Sequence, residues 1–189
     1  MAGHCVDNGY RNNDSESARS SWPLPHMQGT EKMDTVNAAV DRLGLLRAHE
    51  LALGRLYRTY AETFPQHRDL WTRLSQEEQE HADWIDALRL KVEEESSGLV
   101  VDRFPAAAIE HSIDYVNRLI DRAHHGNLTA VNALANALDL ENALIENRYF
   151  EVFAGDSAQI KRTLSDLARS THTHHEQVRR ALQTARQTP

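Results

Sequence analysis

From Asp34 onward the apolar residues recur every three or four positions, and no run alternates apolar with polar residues as a half-buried strand would. This spacing confines the chain to helices and predicts an all-α fold. One helix is expected over about 35–64, with Leu43, Leu46, Leu53, Tyr57 and Phe64 along one face and Pro65 stopping it. A second, over about 66–94, rests on Leu70, Leu74, Ile85 and Leu88. After a linker at 95–104, Pro105 is placed to open a helix over about 105–125 with the stripe Ile109, Ile113, Val116 and Ile120, closed by Gly126. Two more helices, over about 129–153 and 157–186, flank a turn at Gly155 and Asp156, with Asp156 or Ser157 as N-cap. Two tight hairpins joined by a long connection that carries its own helix imply a four-helix bundle with one crossover. The extra helix, having an apolar stripe of its own, is expected to pack outside the main core.

Four of the five helices carry an ionisable residue in their apolar stripe. In the first helix the positions 43, 46, 50, 53, 57, 60 and 64 are apolar or aromatic except for Glu50. In the second, 70, 74, 78, 81, 85 and 88 are apolar except for Glu78 and His81, an i, i+3 pair whose side chains share one face. Burying such groups without a partner is costly, so they are normally paired or bound to a metal. Glu50 lies 15 residues before Pro65, and Glu78 and His81 lie 13 and 16 after it. At the helical rise these three groups stand at nearly the same level of an antiparallel pair.

The second hairpin repeats the pattern. Leu134, Leu138, Glu141 and Ile145 form a stripe with Glu141 inward, 15 residues before Asp156, while Thr171 and His174 lie 15 and 18 after it. The segment THTHHE at 171–176 offers two phases. The phase through Leu164, Leu167, Thr171, His174, Val178 and Ala181 is the apolar one, and the phase through Lys161, Ser165, His172, His175 and Arg179 is polar. Burial therefore favours Thr171 with His174, leaving His172 and His175 flanking the core. His124 and His125, just before Gly126, read as cations at a helix C-terminus. The aromatic residues Tyr57, Tyr60, Trp71, Trp84 and Tyr149 read as core.

With 189 residues the chain has enough length for one domain with a good core. A net charge of -7 gives no electrostatic case for nucleic acid. The single cysteine, Cys5, excludes a disulfide framework and a Cys-rich zinc or iron centre. No apolar run approaches a membrane span, and the N-terminus lacks the apolar run of a signal peptide, so a soluble, cytoplasmic protein is expected. Residues 1–33, rich in Ser, Asn, Asp and Gly, are expected to form a flexible tail before a helical domain at 34–189.

A Glu on each of two helices and a Glu-x-x-His on each of two others is the ligand set of ferritin-like di-iron carboxylate proteins. On HELALGRLYRTYAETFP, EEQEHADWIDAL, LENALIENRYFEVF and STHTHHEQV, the chain resembles that superfamily, in its rubrerythrin-like branch without a rubredoxin domain, from about residue 40 to residue 182. The resemblance implies metal ligands at Glu50, Glu78 and His81 in one half-site and Glu141 and His174 in the other. It implies iron, as a pair or a single ion, with manganese or zinc also admitted by such donors. It further implies a reaction with dioxygen or peroxide, of ferroxidase or peroxidase type, an external electron donor, and a homodimer. The chain departs from the pattern at Thr171, where a second bridging carboxylate is expected, and at Leu144, where the branch carries another glutamate. The departure at 171 leads us to expect a weaker second half-site. It also leaves a second reading, a bundle without catalysis that keeps a weakened site for structure or metal sensing.

Overall fold

In a computed structural model, which describes residues 29–95, 105–146, 150 and 157–187, the chain is an all-helical bundle, and no strand occurs among the described residues. The helices are α1 (Gly29–Thr63), α2 (Arg68–Glu95), α3 (Ala106–His124), α4 (Ala130–Glu146) and α5 (Ala158–Gln187), with a 3-10 turn at Pro65–His67 between the first two. Helix α1 begins before the expected boundary at 35, so Gly29–Asp34 belongs to it; the rest of the expected tail lies outside the described residues. So do the linker after Glu95, the end expected for the fourth helix, Tyr149, and the turn at Gly155 and Asp156.

The punctuation follows from local chemistry. Pro65 cannot continue α1, because it lacks an N–H and its ring clashes with the preceding turn. The Ser157 hydroxyl accepts from the Ile160 backbone N–H at 3.3 Å, and Thr129 receives the Asn132 N–H at 3.2 Å, so each caps the helix that follows. Gly126 takes a positive φ of 68° and ends α3, with Asn127 N–H donating to the Arg122 carbonyl at 3.0 Å.

Helices α1 and α2 run antiparallel. Across them Ser75 Oγ donates to the Gly54 carbonyl at 2.8 Å, and Arg47 reaches Asp86. Helix α2 is also antiparallel to α5, since Arg73, Glu77, His81 and Lys91 meet Gln177, His174, Ser170 and Gln159 in reverse order. Helices α4 and α5 pack together, and Tyr57 on α1 reaches α4.

Helix α1 is buried on more than the one face read from its spacing. Besides Leu43, Leu46, Leu53, Tyr57, Tyr60 and Phe64, a second stripe of His49, Ala52, Leu56 and Thr59 is buried. Helix α3 packs against α1 through Ile109, Val116, Leu119 and Ala123, with Ser112 Oγ 2.8 Å from His49 Nε2. The extra helix thus shares the core instead of lying outside it. In α4 the buried face runs through Ala133, Leu134, Ala137, Leu140, Glu141 and Leu144, while Leu138 and Ile145 are only half-buried. In a helix so rich in Ala and Leu, apolar spacing fits two neighbouring phases. Among the described residues no helix is long and apolar enough to cross a membrane.

Gly54 sets the spacing of α1 and α2 beside Glu78. A Cβ there would meet the Ser75 carbonyl oxygen at 3.4 Å and the Glu78 Cβ at 3.5 Å. Gly54→Ala should therefore be tolerated, the helix-propensity gain of about 1 kcal/mol offsetting a tight contact. Gly54→Leu should destabilise by about 1–3 kcal/mol through overpacking, read as a lower thermal melting temperature. A Leu variant as stable as the parent would contradict the close approach described here.

Candidate metal centre

Five buried polar side chains from four helices meet midway along the bundle: Glu50 on α1, Glu78 and His81 on α2, Glu141 on α4 and His174 on α5. Glu78 is the centre of the group. Its Oε2 lies 2.9 Å from His81 Nδ1 and its Oε1 lies 3.0 Å from His174 Nδ1. A second carboxylate stands farther off at the same nitrogen of each imidazole, Glu50 Oε2 at 3.7 Å from His81 Nδ1 and Glu141 Oε1 at 3.7 Å from His174 Nδ1. The arrangement is nearly symmetric about Glu78. The imidazoles lie face to face, with centroids 5.2 Å apart and planes 25° from parallel. One ligand atom each from Glu78, His81 and His174 lies within 4.8 Å of the others.

Each group is held from behind. His174 Nε2 donates to Glu77 Oε2 at 2.8 Å, and His81 Nε2 lies 2.7 Å from Ser170 Oγ. Tyr57 donates its hydroxyl to Glu141 Oε1 at 2.6 Å, and its ring stacks on Trp71. Buried His49 stands 4.0 Å from Glu50 Oε1 through its Nδ1. Glu77, Ser170, Tyr57 as a hydrogen-bond donor, and His49 were not read from the sequence as parts of the site. For His49 the signal was present, as an imidazole beside Glu50 on a buried second stripe. Glu77 lies 97 positions from the histidine it meets, and no spacing rule connects them.

All five residues expected to converge do so, and Thr171 is buried on the same face as His174. The two histidines held in reserve are not part of the cluster. His172 is exposed, and His175 is half-exposed with Nδ1 3.7 Å from Glu176, because the polar phase of α5 faces outward. Thr171 donates its hydroxyl to the Leu167 carbonyl at 3.1 Å, a bond within its own helix. The two half-sites, expected to differ through Thr171, are similar in their inward donors. Glu78 gives one oxygen to each imidazole, so both positions have the same donors: half of Glu78, one imidazole and one more distant carboxylate. Of the aromatic residues, Tyr57, Tyr60 and Trp71 are core as read, whereas Trp84 is exposed, its ring 5.4 Å from that of His81.

The electrostatics describe a tightly coupled group. Burial opposes charge on His81, but the carboxylates of Glu50 and Glu78 outweigh it and lift its pKa to about 9. Burial likewise opposes charge on His174, and Glu141 with Glu78 lifts its pKa to about 11. Burial, then the charge of Glu50, pushes Glu78 up to about 7. Burial would raise Glu50 too, yet the imidazoles of His49 and His81 hold it well below the usual carboxylate range. In the metal-free protein two imidazolium ions therefore offset three carboxyl groups. That pairing is incomplete: Glu50 Oε1 and Glu141 Oε2 are buried without a hydrogen-bond partner, and Glu78 Oε1 and His174 Nδ1, 3.0 Å apart as an ion pair, lack hydrogen-bond geometry. Glu78, His81 and His174, each offering a carboxylate oxygen or imidazole nitrogen within 4.8 Å of the others, are the donors a hard or borderline divalent cation takes. The residues fit a metal.

The chain matches no family model, no curated protein and no solved structure in comparisons with known proteins.

The signs of these shifts define a pH profile for metal-free protein. His81 and His174, raised from 6.5, contribute stability that is complete below that value and lost as pH rises through about 9 and about 11. Glu78, raised from 4.5 to about 7, acts in the same direction. Glu50, lowered from 4.5, acts oppositely and loses its contribution as pH falls below that value. The melting temperature of chelator-treated protein should be highest near about pH 4.5 and fall by more than about 5 °C by about pH 9. In a His81→Gln, His174→Gln double variant the alkaline slope should flatten, and a slope unchanged in that variant would place its origin elsewhere.

Proposed function

We propose that the chain is a ferritin-like metal protein whose cluster binds a pair of divalent iron ions and uses them to react with dioxygen or peroxide. The observation that carries this reading is the position of Glu78, one oxygen on each of two imidazole Nδ1 atoms, with Glu50 and Glu141 on the flanks. Glu50, Glu78 and His81 would hold one ion, and Glu78, Glu141 and His174 the other. Bound iron would supply the electrons for reducing the oxidant, replenished by an external donor. Manganese or zinc suits the same donors.

The protein's own part is to orient and to protect. Glu77 fixes the ring of His174 and Ser170 that of His81, as the second nitrogen of a metal-binding histidine generally requires. Tyr57 holds Glu141 at one oxygen and leaves the other to bind. Leu53, Tyr57, Trp71, Leu74 and Ile85 exclude water along the bundle axis, which strengthens every charge interaction in the cluster. Thr171 is short and bonded to its own helix, so it crowds the cluster less than a glutamate would and favours approach of a small oxidant from that side.

A second reading, a structural or metal-sensing bundle without catalysis, is favoured by the missing carboxylate at 171 and by the ion pairs that already join the cluster without metal. Anaerobic titration with ferrous iron, followed by exposure to oxidant, separates the two. The proposal expects about two equivalents bound per chain, with comparable affinity, and consumption of dioxygen or peroxide by the loaded protein. Glu78→Ala should abolish both equivalents, since both share that carboxylate, whereas Glu141→Ala should spare one. Two bound ions without oxidant consumption would favour the second reading, and no binding at all would remove the metal from both.

A further inference from the structure

The five inward residues do not balance two divalent cations. Glu50, Glu78 and Glu141 bring three negative charges against four positive ones. A carboxylate one turn before His174 would close the gap, but that position holds Thr171, whose hydroxyl is bonded to the Leu167 carbonyl. Another carboxylate nevertheless touches the cluster, from outside. Glu77 Oε2 lies 2.8 Å from His174 Nε2 while Glu78 Oε1 lies 3.0 Å from Nδ1 of the same ring. Consecutive residues on a helix diverge by about 100°, which sends Glu78 inward and Glu77 to the rim, and the imidazole is clamped between them. His81 has no such counterpart, because its Nε2 meets the neutral hydroxyl of Ser170. The side chain of Glu77 is 33 % exposed, so it keeps part of its hydration while its inner oxygen is committed to His174.

We propose, building on the metal-pair reading above, that Glu77 supplies the fourth negative charge through His174 and so substitutes for the carboxylate that position 171 lacks. A histidine that donates Nε2–H to a carboxylate is fixed in the tautomer that leaves the Nδ1 lone pair free, and it becomes a stronger donor. Glu77 is thus a positioning and charge-compensating residue for the ion held by Glu78, Glu141 and His174. The ion beside His81 depends on it little. This accounts for a pair of positions with equal inward donors despite the departure at 171.

The test is anaerobic titration of full-length protein with cobalt(II), followed by its visible absorption and by calorimetry. Glu77→Gln should weaken one equivalent by about 10–100-fold and change the other by less than about 3-fold. Glu77→Ala should do the same, because charge and not hydrogen bonding alone is what is lost. Adding Thr171→Glu to Glu77→Gln should return the weakened equivalent to within a few-fold of the parent. The proposal is overturned if Glu77→Gln binds both equivalents like the parent, or if it restores what Glu77→Ala loses. It is equally overturned if both equivalents weaken together with a fall in melting temperature, the mark of a merely structural contact. Should the combined variant not fold, the Gln and Ala comparison decides alone. A parent that binds two ions while Glu77→Gln is silent defeats only this inference; a parent that binds none defeats the metal reading as well.

Discussion

Everything polar in the core is organised by one carboxylate placed between two imidazoles. Glu78 reaches His81 one turn along its own helix and His174 on α5, so it ties α2 and α5 at the level where α1 and α4 bring Glu50 and Glu141. An isolated carboxylate at that depth would cost several kcal/mol. It is tolerated because imidazolium ions stand on both sides of it. The surrounding requirements follow from that placement: Gly54 where the helices approach, Tyr57 bonded to Glu141, and Glu77 and Ser170 holding the rings from behind.

Buried ion networks are weak contributors to net stability, and well-packed hydrophobic residues in their place are often neutral or better. The stability of this bundle comes instead from the apolar groups above and below the cluster, including Leu43, Leu46, Leu53, Leu74, Ile85 and Leu167. The oxygens of Glu50 and Glu141 that lack a hydrogen bond point the same way, since a network built only to stabilise would leave fewer of its acceptors unsatisfied. On the proposed reading, protons occupy in the metal-free protein the places that cations occupy in the loaded one. Metal binding and proton release are then two sides of one exchange.

Helix α3 extends these constraints beyond the four helices that meet at the cluster. By packing on the second stripe of α1 it buries His49 beside Glu50, and Ser112 takes the far nitrogen of that imidazole. The charge of Glu50 is therefore set partly by an element that contributes no residue to the inner group.

Much of this was legible in the chain. The three-and-four spacing determined the helices, because only a helix brings those positions to one face. Distances from Pro65 and from Asp156 placed Glu50, Glu78, His81, Glu141 and His174 at one level, because the rise per residue is constant. The two phases of THTHHE were separated by burial alone, and α5 indeed buries Thr171 and His174. Other features only the tertiary structure could decide. Leu138 and Ile145 fit the apolar spacing as well as Ala137 and Leu144 do, and packing chose between them. The depth of α1 depended on where α3 docks, which no period within α1 records. The sharing of Glu78 between two histidines, and the meeting of Glu77 with His174, arise from the contact of α2 with α5. Spacing within a helix specifies which residues face one way; the identity of what they face is set by how the helices pack.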